Sequence, residues 1–173
     1  ASGDAELRAC RALMRGGSRS FFTASLLLPA RVRGPATGLY AFCRVADDAI
    51  DGSPEPARAI GQLRERLDAI YADRPGPEVA DRALACVVQR CEIPRTLLDA
   101  LLEGFDWDVG GRRYETIEDV HAYGARVAGT VGAMMALVME TRSAPALARA
   151  CELGVAMQLT NIARDVGEDA GLG

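Results

Sequence analysis

Two aspartates four residues apart occur twice in this chain, each time in a stretch that is otherwise largely apolar: Asp47 with Asp51, and Asp165 with Asp169. That spacing puts both carboxylates of a pair on one face of a helix. Each pair extends a longer polar stripe, with Tyr40 and Arg44 upstream of the first and Gln158 and Asn161 upstream of the second. The other faces carry Leu39, Phe42, Val45, Ala46 and Ile50 in one segment, and Val155, Ala156, Leu159, Ile162 and Ala163 in the other. A helix that is apolar on most sides is usually buried. Carboxylates taken out of water cost several kcal/mol each unless something compensates them. Two acidic stripes facing one cavity repel, and divalent cations between them remove the repulsion. Oxygen ligands with no His or Cys beside them favour Mg²⁺, with Mn²⁺ as the alternative, and Mg²⁺ commonly shares its shell with substrate phosphates. One such pair alone is common on solvated helix faces; two pairs with aligned Arg, Tyr, Gln or Asn point to a Mg²⁺–diphosphate site between two helices.

Composition narrows the alternatives. The chain has 173 residues, 49% hydrophobic and 25% charged, enough for one domain with a real core. Net charge is −4 and every basic side chain is Arg, so the chain lacks the basic run that a nucleic-acid partner needs. The five cysteines form no C-x-x-C pair, which fits reduced, buried thiols in a cytoplasmic protein better than a disulfide framework or a zinc site. The single His121 cannot build a multi-histidine metal site and reads as structural or surface. The stretch from Val127 to Met139 is shorter than the ~20 residues of a membrane span. The expected location is the cytoplasm, with peripheral contact at the inner membrane.

Helical periodicity dominates throughout. The expected helices are Asp4 to Arg15, Pro35 to Asp51, Glu55 to Ala72, Glu78 to Arg90 and Pro94 to Val109. Ser18 to Phe22 reads as a loop or helix start. Thr116-Ile117-Glu118-Asp119 has the form of a capping box and opens a helix running to Glu140. Gly124, Gly129 and Gly132 interrupt it, through tight helix packing or a kink beside a ligand. Ser143 and Pro145 open the last helix. The expectation is an all-α single domain over residues 1–173, with acidic helices lining a central cavity.

Several motifs then resemble the squalene and phytoene synthase family. They are Ser18-Arg19-Ser20-Phe21, the run from Tyr40 to Asp51, Val127-Ala128-Gly129-Thr130-Val131-Gly132, and the run from Gln158 to Asp169. Among family members the resemblance is strongest to bacterial phytoene synthases of carotenoid pathways. It implies an isoprenoid-synthase-type helical bundle and head-to-head condensation of two prenyl diphosphates. For a phytoene synthase the donor is geranylgeranyl diphosphate and no NADPH is needed; squalene or dehydrosqualene synthase, using farnesyl diphosphate, is the alternative. A non-catalytic binding or assembly module is a second alternative, set against two intact acidic motifs.

The resemblance also implies residue roles. Asp47, Asp51, Asp165 and Asp169 hold Mg²⁺, with Asn161 as a further ligand. Arg44 binds diphosphate, and Asp48 and Glu168 are supporting charges. Ser18, Arg19 and Ser20 belong to a loop that contacts diphosphate. Tyr40, Gln158 and Asn161 are polar pocket positions. Phe21, Val127 and Val131 line the prenyl channel, with simple core packing as an equally open reading, and Arg164 has a surface salt bridge as its alternative. The family continues past the second acidic motif, so the chain is expected to be an N-terminal portion whose bundle is incomplete at the C-terminus.

Overall fold

The structure, a computed structural model, describes the backbone of residues 2–17 and 19–172 and the side-chain surroundings of residues 8–16 and 22–166. All regular structure among the described residues is helical: α1 (Ser2–Gly17), α2 (Arg19–Leu26), α3 (Ala30–Asp51), α4 (Pro56–Tyr71), α5 (Val79–Cys91), α6 (Arg95–Val109), α7 (Ile117–Gly124), a π-helical turn (Ala125–Gly129), α8 (Thr130–Val138) and α9 (Ala144–Leu172). The chain forms two compact units, Ala1–Arg95 and Thr96–Gly173.

In the first unit α3 packs against α1, α2, α4 and α5. Its apolar face is buried as its periodicity predicts: Leu39, Phe42, Ala46 and Ile50 are inside, beside Met14 of α1, Leu63 and Leu67 of α4, and Leu84 and Val87 of α5. Each fully buried Leu, Phe or Ile contributes about 1.5–3 kcal/mol of transfer free energy.

α3 begins at Ala30, before Pro35, so the proline is inside the helix and not at its first turn. Proline lacks the N–H that would bond to the carbonyl one turn earlier. That carbonyl belongs to Arg31, and it accepts a hydrogen bond from Nη2 of Arg90 on α5 at 3.3 Å. A donor from another helix replaces the missing bond. The segment from Arg19 is helical from the start rather than a loop.

α5 carries a charged residue inside the core. Asp81 is 1% exposed. It accepts three hydrogen bonds from Arg66 of α4, at 2.6, 3.0 and 3.1 Å. The same guanidinium lies 5.9 Å from the centroid of the Phe42 ring.

The cysteines divide: Cys10 and Cys91 are buried, Cys43 and Cys151 half-buried, and Cys86 is exposed. Cys86 corrects the expectation of uniformly buried thiols, because it lies between the buried positions Ala85 and Val87 on the outer face of α5. Burial, with the Asp47 carboxylate adding to it, pushes the Cys43 thiol up to about 12. Thiolates, not thiols, are nucleophiles. At pH 8, iodoacetamide should therefore modify Cys86 first, with Cys43, Cys10 and Cys91 protected until denaturant is added; peptide mass mapping against time checks this.

In the second unit α7 opens with the expected capping box. Thr116 Oγ1 accepts from the Asp119 backbone N–H at 3.1 Å, and Asp119 Oδ2 accepts from the Thr116 N–H at 3.1 Å. The hydrogen bonds from the Thr116 side chain and backbone hold the Asp119 carboxyl below its ordinary range. A depressed carboxyl stabilises the fold above its unfolded pKa and loses that contribution as pH falls through its lower folded value. Thr116→Ala should cost about 1 kcal/mol in urea denaturation at neutral pH, with the gap to wild type narrowing in acid.

The helix predicted from Thr116 to Glu140 is three segments, with the π turn in its middle. α9 packs against all three. Glycines permit that approach. A Cβ at Gly132 would lie 2.2 Å from the Ala150 carbonyl oxygen, one at Gly154 would lie 2.3 Å from that of Ala128, and one at Gly129 would lie 2.6 Å from Cys151 Sγ. Of the two readings open for these glycines, the structure supports close backbone packing, combined with a widened turn.

Candidate active site

The first polar stripe lies on α3. Arg44 turns toward its own helix: Nη2 is 2.6 Å from Asp48 Oδ1, Nε donates to Asp48 Oδ2 at 3.1 Å, and Nη1 is 3.6 Å from Asp47 Oδ2. One guanidinium thus bridges two adjacent carboxylates. The Asp48 carboxylate, more than Asp47, raises the pKa of Arg44 above its usual value. Tyr40, half-buried one turn earlier, has its phenol pushed up, first by burial and then by Asp48 and Asp47, with Arg44 opposing. Asp51 is exposed at the last turn of α3.

The second stripe lies on α9. Gln158 is half-buried, and Asn161 and Asp165 are exposed. Arg164 donates to Asp165 Oδ1 through Nε at 3.3 Å and Nη2 at 3.2 Å, the salt bridge that was its alternative reading. Val127 and Val131 are half-buried at the π turn and the start of α8. Val127 Cγ1 fills the space beside Gly104, where a Cβ would sit 2.6 Å away, so at least part of that side chain is packing. Ser18 lies outside the described residues, as do the side-chain surroundings of Arg19, Ser20, Phe21, Glu168 and Asp169. Among the described residues no three His, Cys, Asp or Glu side chains are gathered as a metal-holding cluster.

The structure also assembles a group that the sequence reading did not single out. Trp107 lies under two guanidiniums, with Arg112 Cζ 3.7 Å and Arg126 Cζ 4.0 Å from its ring centroid. Arg126 is further held by Glu103 Oε2 at 3.1 Å and donates to the Ala122 carbonyl at 2.9 Å. Tyr123 donates to Asp108 at 2.8 Å, and its ring is 5.1 Å from that of Tyr114. The Tyr114 hydroxyl is buried without a hydrogen-bond partner among the described residues, and burial raises its pKa. These residues come from α6, the following loop, α7 and the π turn, so no single periodicity marks them. The lone Trp of the chain was the one available signal.

The helical architecture is that of known isoprenoid synthases. It superposes on the crystal structure of squalene synthase HpnC from Alicyclobacillus acidocaldarius with a TM-score of 0.89 at 26% identity, covering 99% of this chain and 65% of that one. It superposes on a dehydrosqualene synthase crystallised with ligand with a TM-score of 0.88 at 33% identity, covering 99% and 60%. The squalene/phytoene synthase family model matches residues 14–173, and the chain belongs to that family. It is 58% identical to a phytoene synthase of Rhodobacter capsulatus over 98% of this chain and 51% of the relative. Identity to a phytoene synthase of Cereibacter sphaeroides is 54%, over 96% and 50%. The chain thus spans about half the length of the curated relatives it matches. Among the described residues no helix is long and apolar enough to cross a membrane.

Proposed function

We propose that the protein containing this chain condenses two molecules of geranylgeranyl diphosphate head-to-head into phytoene. The observation that carries this reading is 54–58% identity to proteins named phytoene synthase over 96–98% of this chain. Loss of diphosphate from the first donor leaves an allylic cation. The double bond of the second donor attacks it, and loss of a proton from the resulting cation closes the ring of a cyclopropyl diphosphate. Loss of the second diphosphate, rearrangement and release of a proton then yield the hydrocarbon, so no reductant is consumed and NADPH is not required.

The donor set fits a divalent cation: on α3, Asp47 and Asp51 offer hard oxygens one helical turn apart, with no His beside them. Asp47 and Asp51 on α3 would hold Mg²⁺ or Mn²⁺, and on α9 Asp165 and Asp169, with Asn161, would do the same. When bound, the ion would offset charge developing on the leaving diphosphate. Arg44 supplies a guanidinium beside this pair and would exchange its fork on Asp48 for diphosphate oxygens. Ser18, Arg19 and Ser20 would add contacts to diphosphate. Tyr40 and Gln158 would supply polar pocket walls, and Phe21, Val127 and Val131 would keep water from the prenyl chain.

A second reading, squalene or dehydrosqualene synthesis from farnesyl diphosphate, is supported by the likeness of the fold to a squalene synthase and a dehydrosqualene synthase. One product assay on the full-length protein separates them. With geranylgeranyl diphosphate, Mg²⁺ and no NADPH, a forty-carbon hydrocarbon should form, stop on chelation with EDTA, and resume when Mg²⁺ is restored. A thirty-carbon product from farnesyl diphosphate, dehydrosqualene without NADPH or squalene with it, would establish the second reading. Turnover that persists in EDTA would overturn the metal assignment, and metal-dependent binding without any product would identify a non-catalytic binder.

A further inference from the structure

A buried line along α7, the π turn and α8 runs through Gly124, Gly129, Ala133 and Leu137, in steps of five, four and four residues. A regular α-helix keeps one face buried in steps of three or four. The step of five is the π turn, which holds one residue more than an α-helical turn. The same break shows in what α9 meets. A Cβ at Gly132 or Gly129 would press on Ala150 and Cys151. The next such contact toward the N-terminus is at Gly124, whose Cβ would lie 3.4 Å from Val155 Cγ1 and 4.0 Å from Gln158 Cβ. Counted back from Gly129 with α-helical spacing, the residue at that contact would be Ala125, with a methyl where Gly124 has only hydrogen. One residue is about 100° of rotation about the helix axis. The wide turn therefore sets how α7 is rotated. It presents a glycine to Val155 and Gln158, and it leaves Tyr123 beside Asp108, to which its hydroxyl donates at 2.8 Å.

One side chain accounts for the wide turn. The Thr130 amide donates to the Ala125 carbonyl, five residues back. An α-helix would give that amide the carbonyl of Arg126. The Thr130 hydroxyl takes the Arg126 carbonyl instead, at 2.5 Å. A threonine hydroxyl that bonds four residues back is ordinary in helices, and Thr37 and Thr160 do the same on α3 and α9. At Thr130 the hydroxyl stands in for a displaced amide. The residue is 6% exposed, which keeps water from taking its place. A buried carbonyl left without a donor is costly. Loss of the hydroxyl therefore favours the narrower turn, in which the amide itself returns to Arg126.

We propose that Thr130 is a positioning residue: its hydroxyl holds the π register, and that register fixes the rotation of α7 against α9 at Gln158. The register stands on the turn alone; its effect on turnover rests on the condensation proposed above. Disulfide trapping in the full-length protein tests the register. A Cβ at position 124 would lie 3.8 Å from Val155 Cα, close enough for Gly124→Cys/Val155→Cys to oxidise. Ala125→Cys/Val155→Cys is the α-register control. Peptide mass mapping should find the 124–155 crosslink and little of 125–155; equal yields overturn the proposal. Adding Thr130→Val, which keeps the shape and drops the donor, should raise 125–155 relative to 124–155 by about fivefold, and Thr130→Ser should restore the original ratio. Deleting Ala125 removes the extra residue, so Gly124 meets Val155 on plain α-helical spacing. In that background Thr130→Val should leave the 124–155 crosslink intact. In the forty-carbon product assay Thr130→Val should lower kcat/KM by about fivefold, and Thr130→Ser should keep wild-type turnover. An unchanged crosslink ratio in Thr130→Val overturns the proposal. So does a loss of 124–155 crosslinking that persists in the Ala125 deletion, or unchanged turnover once the crosslinks have shifted. The crosslinks decide the register whichever hydrocarbon the wild type makes, so failure of the condensation reading is told apart from failure of this one.

Discussion

Arg66→Met should lower the stability of the protein by about 3–5 kcal/mol in urea unfolding. Arg66 makes three hydrogen bonds to Asp81, whose side chain is 1% exposed, whereas Arg66 itself keeps 25% of its side-chain surface in contact with solvent. The two partners are therefore not equivalent. Removing the arginine strands a carboxylate inside the first unit, and that stranding accounts for most of the cost. The pair itself contributes less than this figure suggests, because forming it required withdrawing a charge from water. The double variant Arg66→Met/Asp81→Leu should accordingly recover most of the loss, since no buried charge is then left unpaired. A single variant within 1 kcal/mol of wild type, or a double variant no better than the single, would contradict this account.

Gly154→Ala should destabilise the second unit, even though the same change in an isolated helix is favourable by about 1 kcal/mol. The added Cβ would meet the Ala128 carbonyl oxygen at 2.3 Å, the Ala128 carbonyl carbon at 2.7 Å and Gly129 Cα at 3.1 Å, all backbone atoms with no flexible end to yield. Overpacking against a side chain typically costs about 1–3 kcal/mol. Against backbone on a crossing helix, a net loss near the top of that range is expected, and Gly154→Val should exceed it. Gly61, in α4, is the internal control: nothing lies within 4 Å of its added Cβ. Gly61→Ala should raise stability by about 0.5–1 kcal/mol. Opposite signs for the two glycines, read from thermal or urea unfolding, would confirm that packing and not propensity decides at Gly154.

Much of this was legible without coordinates. The burial of Leu39, Phe42, Ala46 and Ile50 follows from a period of 3.6 residues, and so does the placing of Tyr40, Arg44, Asp47 and Asp51 on one helix. The Thr116–Asp119 capping box is a contact within four residues, which is why its spelling alone announced it. Local rules erred where a distant element intervened. Pro35 looked like a helix start because an interior proline leaves a carbonyl unbonded, and Arg90, far along the chain, supplies the replacement donor. The glycines looked ambiguous because their role depends on which backbone crosses them.

What the sequence determined by itself was therefore the set of quantities that depend on residue spacing: helix content, the buried face of α3, the cap and the family motifs. The face of α9 bearing Val155, Ala156, Leu159, Ile162 and Ala163 is half-buried or exposed, because burial depends on what packs against it. Only the tertiary structure decided the pairing of Arg66 with Asp81, the contact of Gly154 with the backbone of Ala128 and the gathering of Arg112 and Arg126 on Trp107. It also decided that Arg44 forks onto Asp48 while lying near Asp47. A helical period fixes which face a side chain occupies, but not which partner meets that face. The partner is chosen by where the chain returns, and the energies of buried charge and close backbone contact depend on that choice.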